Sequence, residues 1–117
     1  MQPILFLKHP NTVVGPNDEV MIPRGATSTD WEVELAVVIG KQTSYLSGPD
    51  KALSHIAGFT ISNDVGASFQ IQRSGGQWSK GKCSATFNPL EPWLLPASEI
   101  ADVRSLRLRS WVNGEAR

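Results

Sequence analysis

Eight prolines and ten glycines cut the 117-residue chain into short pieces, and this punctuation constrains the fold more than any other feature. Proline fixes φ and removes a backbone donor, while glycine weakens a helix interior. Long helices are excluded, and the segments between breaks read mainly as strands. Apolar residues make up 40% of the chain, enough to bury the core of one domain. The class expected is a β-rich α+β fold with no internal repeat.

Residues 4–7 and 19–22 read as short strands on either side of a Gly15-Pro16-Asn17-Asp18 turn. Residues 31–40 form the strongest strand, beginning as an alternation and becoming continuously apolar. Ser47-Gly48-Pro49-Asp50 opens a helix that Gly58 ends, with Ser47 as cap and Leu53, Ile56 and Ala57 as its apolar face. Residues 59–63 read as a buried strand, 68–73 as a short helix and 73–82 as a mobile Gly/Ser-rich loop. Residues 93–95 and 106–112 read as strands, and Asn113-Gly114 as a hairpin turn with no returning strand. The four tryptophans, Trp31, Trp78, Trp93 and Trp111, are assigned to core or loop packing.

Eleven basic and eleven acidic side chains cancel, which argues against a general nucleic-acid binder. A single cysteine excludes an internal disulfide or a multi-cysteine zinc site. The first residues lack the pattern of a secretory signal, and the longest apolar run, residues 35–39, falls far short of the ~20 residues of a membrane span. The expectation is a cytoplasmic protein without membrane or nucleic-acid partners.

Glu32 and Glu34 lie two apart in the strongest strand, so both side chains leave one face. Like charges beside a buried stretch oppose each other's ionisation. Solvent or a neighbouring Lys or Arg answers them in the ordinary case, and a hard divalent cation in the functional one. A cation needs a third oxygen ligand, and Asp64, just past the strand at 59–63, is placed to provide it.

Residues 76–83, Gly-Gln-Trp-Ser-Lys-Gly-Lys-Cys, approach a phosphate-loop pattern but lack the strand before and the helix after. What remains is a lysine pair, Lys80 and Lys82, either solvated or reaching toward an anionic substrate. His9 is a candidate general base. His55 reads as a surface residue, and Cys83 has no base near it in sequence.

Several blocks resemble the fumarylacetoacetate hydrolase family in order and spacing. They are residues 31–40, 57–65, Gln77-Trp78 with Gly81-Lys82, Thr86-Phe87-Asn88-Pro89-Leu90 and Val112-Asn113-Gly114-Glu115, with Phe6-Leu7-Lys8 and Val14-Gly15-Pro16 agreeing. The stretch at 75–82 resembles the branch of ureidoglycolate lyases and diketo-deoxy-sugar-acid hydrolases. The resemblance implies a family-type mixed-sheet fold whose Mg²⁺ or Mn²⁺, with Ca²⁺ as a further option, is held by Glu32, Glu34 and Asp64. It implies that Lys82 binds substrate or stabilises charge, with Thr86 close by. The activity implied is hydrolysis or lysis of a carbon–carbon bond in a small oxo-acid, by a homodimer or with a complementing chain. Residues 1–117 correspond to the front part of the family's catalytic domain, so a truncated, inactive interaction subunit is the alternative. Three departures stand out: residues 65–69 carry no arginine, residues 83–85 carry no aspartate, and Glu91 precedes Pro92 where the family has glycine.

Overall fold

The computed structural model describes residues 2–117. Its central element is an antiparallel ladder between β2 (Val33–Ile39) and β3 (Ile56–Asn63), which pairs Val33 with Asn63 and Glu34 with Ser62 and slips at a bulge between Val38 and Ile39. A short β5 (Leu95–Pro96) adds to the far side of β3, giving the order β2-β3-β5. β1 (Val13–Val14) runs parallel to β4 (Asn88–Pro89), and a hydrogen bond from the Ser62 hydroxyl to Asn88 Oδ1 (2.6 Å) ties that pair to β3. Antiparallel and parallel pairings coexist, the parallel pair β1-β4 being a sheet of its own. No helix among the described residues is long and apolar enough to cross a membrane.

Among the described residues the α-helices are short: α1 (Pro49–Leu53), α2 (Ser68–Arg73) and α3 (Trp78–Lys82). The core is small and lies just after β3. Val65, Ala67 and Phe87 are buried there, with Val20 and Ala26 packed against them. Its backbone is pinned by reciprocal bonds between Asp30 and Gly66 (2.9 and 3.1 Å) and by the Ala67 N–H donating to Gly81 (2.9 Å).

Several expectations change. The helix opened by Pro49 ends at Leu53, because Ile56 and Ala57 are claimed by the β2–β3 ladder; its N-cap is Gly48, not Ser47. Residues 4–7 and 19–22 form no strand, since no partner strand lies beside them. The loop expected at 73–82 ends in α3, whose last residue is buried by ion pairing. The Asn113-Gly114 turn does have a returning strand. β6 (Trp111–Val112) pairs with β7 (Glu115–Ala116), and both turn residues sit at positive φ, 52° and 83°, as the tight hairpin turn demands. The strand at 106–112 is confined to β6, and that at 93–95 shifts to β5. Trp31, Trp93 and Trp111 are exposed rather than core; sheets of two or three strands cover too little surface to enclose them. Trp78 is also exposed, and it stacks on Phe6 with ring centroids 5.7 Å apart.

Candidate metal centre

The ladder builds the site. Glu34 projects from β2, Glu32 precedes that strand, and Asp64 follows β3 directly. Pairing brings the ends together: the Asp64 N–H donates to the Glu32 carbonyl (2.9 Å), and the Glu32 N–H donates to Asn63 Oδ1 (3.1 Å). One carboxylate oxygen from each of Glu32, Glu34 and Asp64 then lies within 4.8 Å of the others. An all-oxygen, three-carboxylate set of this size fits a hard divalent cation of the Mg²⁺, Mn²⁺ or Ca²⁺ type.

Two lysines offset part of the charge. Lys82 is 1% exposed, and its ammonium donates to Glu32 Oε1 (2.6 Å), Asp64 Oδ2 (2.8 Å) and the Asp64 carbonyl (3.0 Å). All three of its donors are thereby engaged. Burial alone would lower its pKa, but the bonds to Asp64 and Glu32, and their charges, hold it above the ordinary 10.5. Phe6 lies under the ammonium, 5.4 Å from ring centroid to nitrogen. Gly66 leaves room for the lysine stem: a Cβ there would stand 3.0 Å from Lys82 Cε. Lys8 donates to Asp64 Oδ1 (2.5 Å) and to the Val65 carbonyl (3.1 Å).

Glu34 receives no hydrogen bond from either lysine. Partial desolvation pushes its carboxyl up from the ordinary range. The charges of Asp64 and Glu32 add to this, against the opposing pull of Lys82 and Lys8. Beside the cluster lies a pocket of about 280 Å³ lined by Asp30, Ser68, Ile71, Gln72 and Trp78, together with Glu32 and Lys82.

The other candidates make their hydrogen bonds outside the carboxylate trio. His9 Nδ1 accepts from the Asn11 N–H (3.2 Å) and caps the 3-10 turn Pro10–Thr12. Its ring bonds to none of the three carboxylates. Thr86 is held at φ 66°, and its hydroxyl accepts from the Met21 N–H (2.7 Å). Cys83 donates to the Leu7 carbonyl at 3.0 Å, and His55 Nδ1 meets the Lys51 carbonyl at 2.7 Å. Lys8 is the residue that sequence reasoning passed over. It stood in the Phe6-Leu7-Lys8 block, but 56 positions separate it from Asp64.

The family described as fumarylacetoacetate (FAA) hydrolase C-terminal matches residues 1–117. The chain belongs to the fumarylacetoacetate hydrolase family. Among its family relatives, a 2,4-didehydro-3-deoxy-L-rhamnonate hydrolase of Sphingomonas sp. (strain SKA58) is 45% identical over 113 residues, covering 97% of this chain and 39% of that protein. The human mitochondrial oxaloacetate tautomerase FAHD2A is 46% identical over 115 residues, covering 97% and 36%. In structure, a 2-hydroxyhepta-2,4-diene-1,7-dioate isomerase from Mycobacterium marinum superposes with a TM-score of 0.88 at 40% identity, covering 99% of this chain and 44% of that one. The chain thus spans less than half the length of these relatives, and they are named as hydrolase, tautomerase and isomerase.

Proposed function

We propose that the chain carries the metal centre of a divalent-cation-dependent enzyme that cleaves a carbon–carbon bond in a small oxo-acid of acylpyruvate or diketo-sugar-acid type. The observation that carries this reading is the convergence of Glu32, Glu34 and Asp64 within 4.8 Å, beside a pocket and over a buried lysine. The relatives' named substrates support the oxo-acid class: one hydrolyses a didehydro-deoxy sugar acid, another tautomerises oxaloacetate.

Glu32, Glu34 and Asp64 would hold Mg²⁺ or Mn²⁺, which when bound polarises substrate oxygens as a Lewis acid. Lys82 serves here as a positioning residue. With its three donors on Glu32 and Asp64 it fixes two ligands, and its charge favours an anion in the neighbouring pocket. Three carboxylates against two ammonium groups leave the cluster at −1, so adding a divalent cation brings it to +1. That balance suits a carboxylate substrate. Trp78 and Ile71 give the pocket an apolar wall, while Ser68, Gln72 and Asp30 supply polar groups for a substrate tail.

The test is a Mn²⁺ titration followed by electron paramagnetic resonance, paired with turnover of an acylpyruvate. Binding that Glu34→Gln abolishes, with turnover lost in parallel, supports the reading. Turnover that persists after chelation of all divalent metal refutes it.

A further inference from the structure

The geometry points to Lys8 as the residue that selects the cation, restricting Asp64 to one oxygen per metal and thereby favouring Mg²⁺ or Mn²⁺ over Ca²⁺. This inference rests on the metal-centre reading above. Asp64 is 3% exposed, and each of its carboxylate oxygens already accepts an ammonium proton: Oδ1 from Lys8 at 2.5 Å and Oδ2 from Lys82 at 2.8 Å. Lys8 is anchored at a second point by the Val65 carbonyl (3.1 Å), so it is part of the frame rather than a loose surface chain.

A carboxylate offers about four lone-pair positions, and two on Asp64 are taken. Chelation through both oxygens would use the remaining pair and place a divalent charge against two ammonium groups together. A single-oxygen contact meets less repulsion. Glu32 is restrained in the same way through Oε1, which accepts from Lys82 at 2.6 Å. Of the three ligands, Glu34 alone has both oxygens clear of the lysines.

Ca²⁺ takes six to eight oxygens at ~2.3–2.6 Å and draws heavily on bidentate carboxylates, whereas Mg²⁺ needs six near-octahedral ligands at ~2.0–2.1 Å and retains waters. A site offering mostly single oxygens meets the second requirement and falls short of the first. Lys82 enforces part of this restriction but also holds the site together. Lys8 is the separable part, because Asp64 keeps Lys82 when it is removed.

The experiment measures Mn²⁺ affinity by electron paramagnetic resonance and Ca²⁺ affinity by competition against it, in the wild-type protein, Lys8→Met and Glu34→Gln. The wild type should prefer Mn²⁺, and Lys8→Met should shrink that preference about tenfold, the size usual for a group supporting a ligand. An unchanged preference in folded Lys8→Met overturns the role of Lys8 and leaves the metal centre standing. If the variant does not fold, the wild type decides, because Ca²⁺ binding as tight as Mn²⁺ binding overturns the inference. Mn²⁺ binding that is absent, or that survives Glu34→Gln, overturns the metal-centre reading and this inference with it.

Discussion

Replacing Lys82 by methionine keeps most of the stem's volume and removes only the ammonium. Three contacts go with it, at 2.6, 2.8 and 3.0 Å. Glu32 is half exposed, its side chain at 45%, so water replaces its lost partner at little cost. Asp64 Oδ2 and the Asp64 carbonyl are buried, and each loses a donor. At ~1–3 kcal/mol for each buried group left unpaired, the gross loss is about 2–6 kcal/mol. Relief of the lysine's own desolvation offsets part of this, giving a net loss of about 3 kcal/mol. That is a large share of the ~5–15 kcal/mol typical of a domain. At roughly 4 °C per kcal/mol, Tm should fall by roughly 12 °C. Urea and thermal unfolding in the presence of a chelator measure it directly. A loss below ~1 kcal/mol would refute the assignment of Lys82 as the buried counter-ion of Asp64, since that is the size of a surface pair. Glu32→Gln, which removes the exposed partner, should cost well under half as much.

Glu34→Gln tests the cost of desolvating that carboxyl beside the charges of Asp64 and Glu32. Because folding raises the Glu34 pKa, the folded chain holds that proton more tightly, and ionisation subtracts stability as pH climbs above the ordinary value of 4.5. The metal-free variant should therefore match the wild type in acid and exceed it near neutrality; calorimetric melts in a chelator at each pH would show the gap, and its reversal would contradict the electrostatic account. Phe87→Ala, at a site with 0% exposure, should cost about 3–5 kcal/mol, read from denaturant midpoints. Gly66→Ala places a methyl 3.0 Å from Lys82 Cε and should weaken Mn²⁺ binding about tenfold through the displaced lysine; unchanged binding would show that Lys82 moves aside freely.

The carboxylate trio was legible because strand alternation is local. Glu32 and Glu34 share a face by spacing alone, and Asp64 marks where an apolar strand turns polar. The register that joins them was not legible, since it depends on which residues of β3 meet β2. Composition left Lys82 open between a solvated loop and a lysine reaching toward an anion. Glycine and serine around it suggested a solvated loop, whereas α3 forms and three oxygens from distant positions bury the ammonium. The helix from Pro49 failed at its far end for a related reason. Ile56 and Ala57 fit a helical face equally well, but the ladder with β2 offered more partners, and tertiary pairing overrode local propensity. Lys8 escaped notice because nothing nearby in sequence requires a cation there.

The β2–β3 pairing has a consequence for how the chain reaches its native state. Side chains on a strand alternate with a period of two, so a slip of one residue against β3 would send Glu34 to the opposite face of the sheet and break the Asp64-to-Glu32 backbone bond. A mispaired chain would lose the three-carboxylate cluster and the grip of Lys82 at once. If the proposed metal centre binds its cation, uptake by correctly threaded molecules alone would favour that strand alignment and draw the population toward it by mass action. Refolding with Mn²⁺ present should yield a greater fraction of native protein than refolding in a chelator.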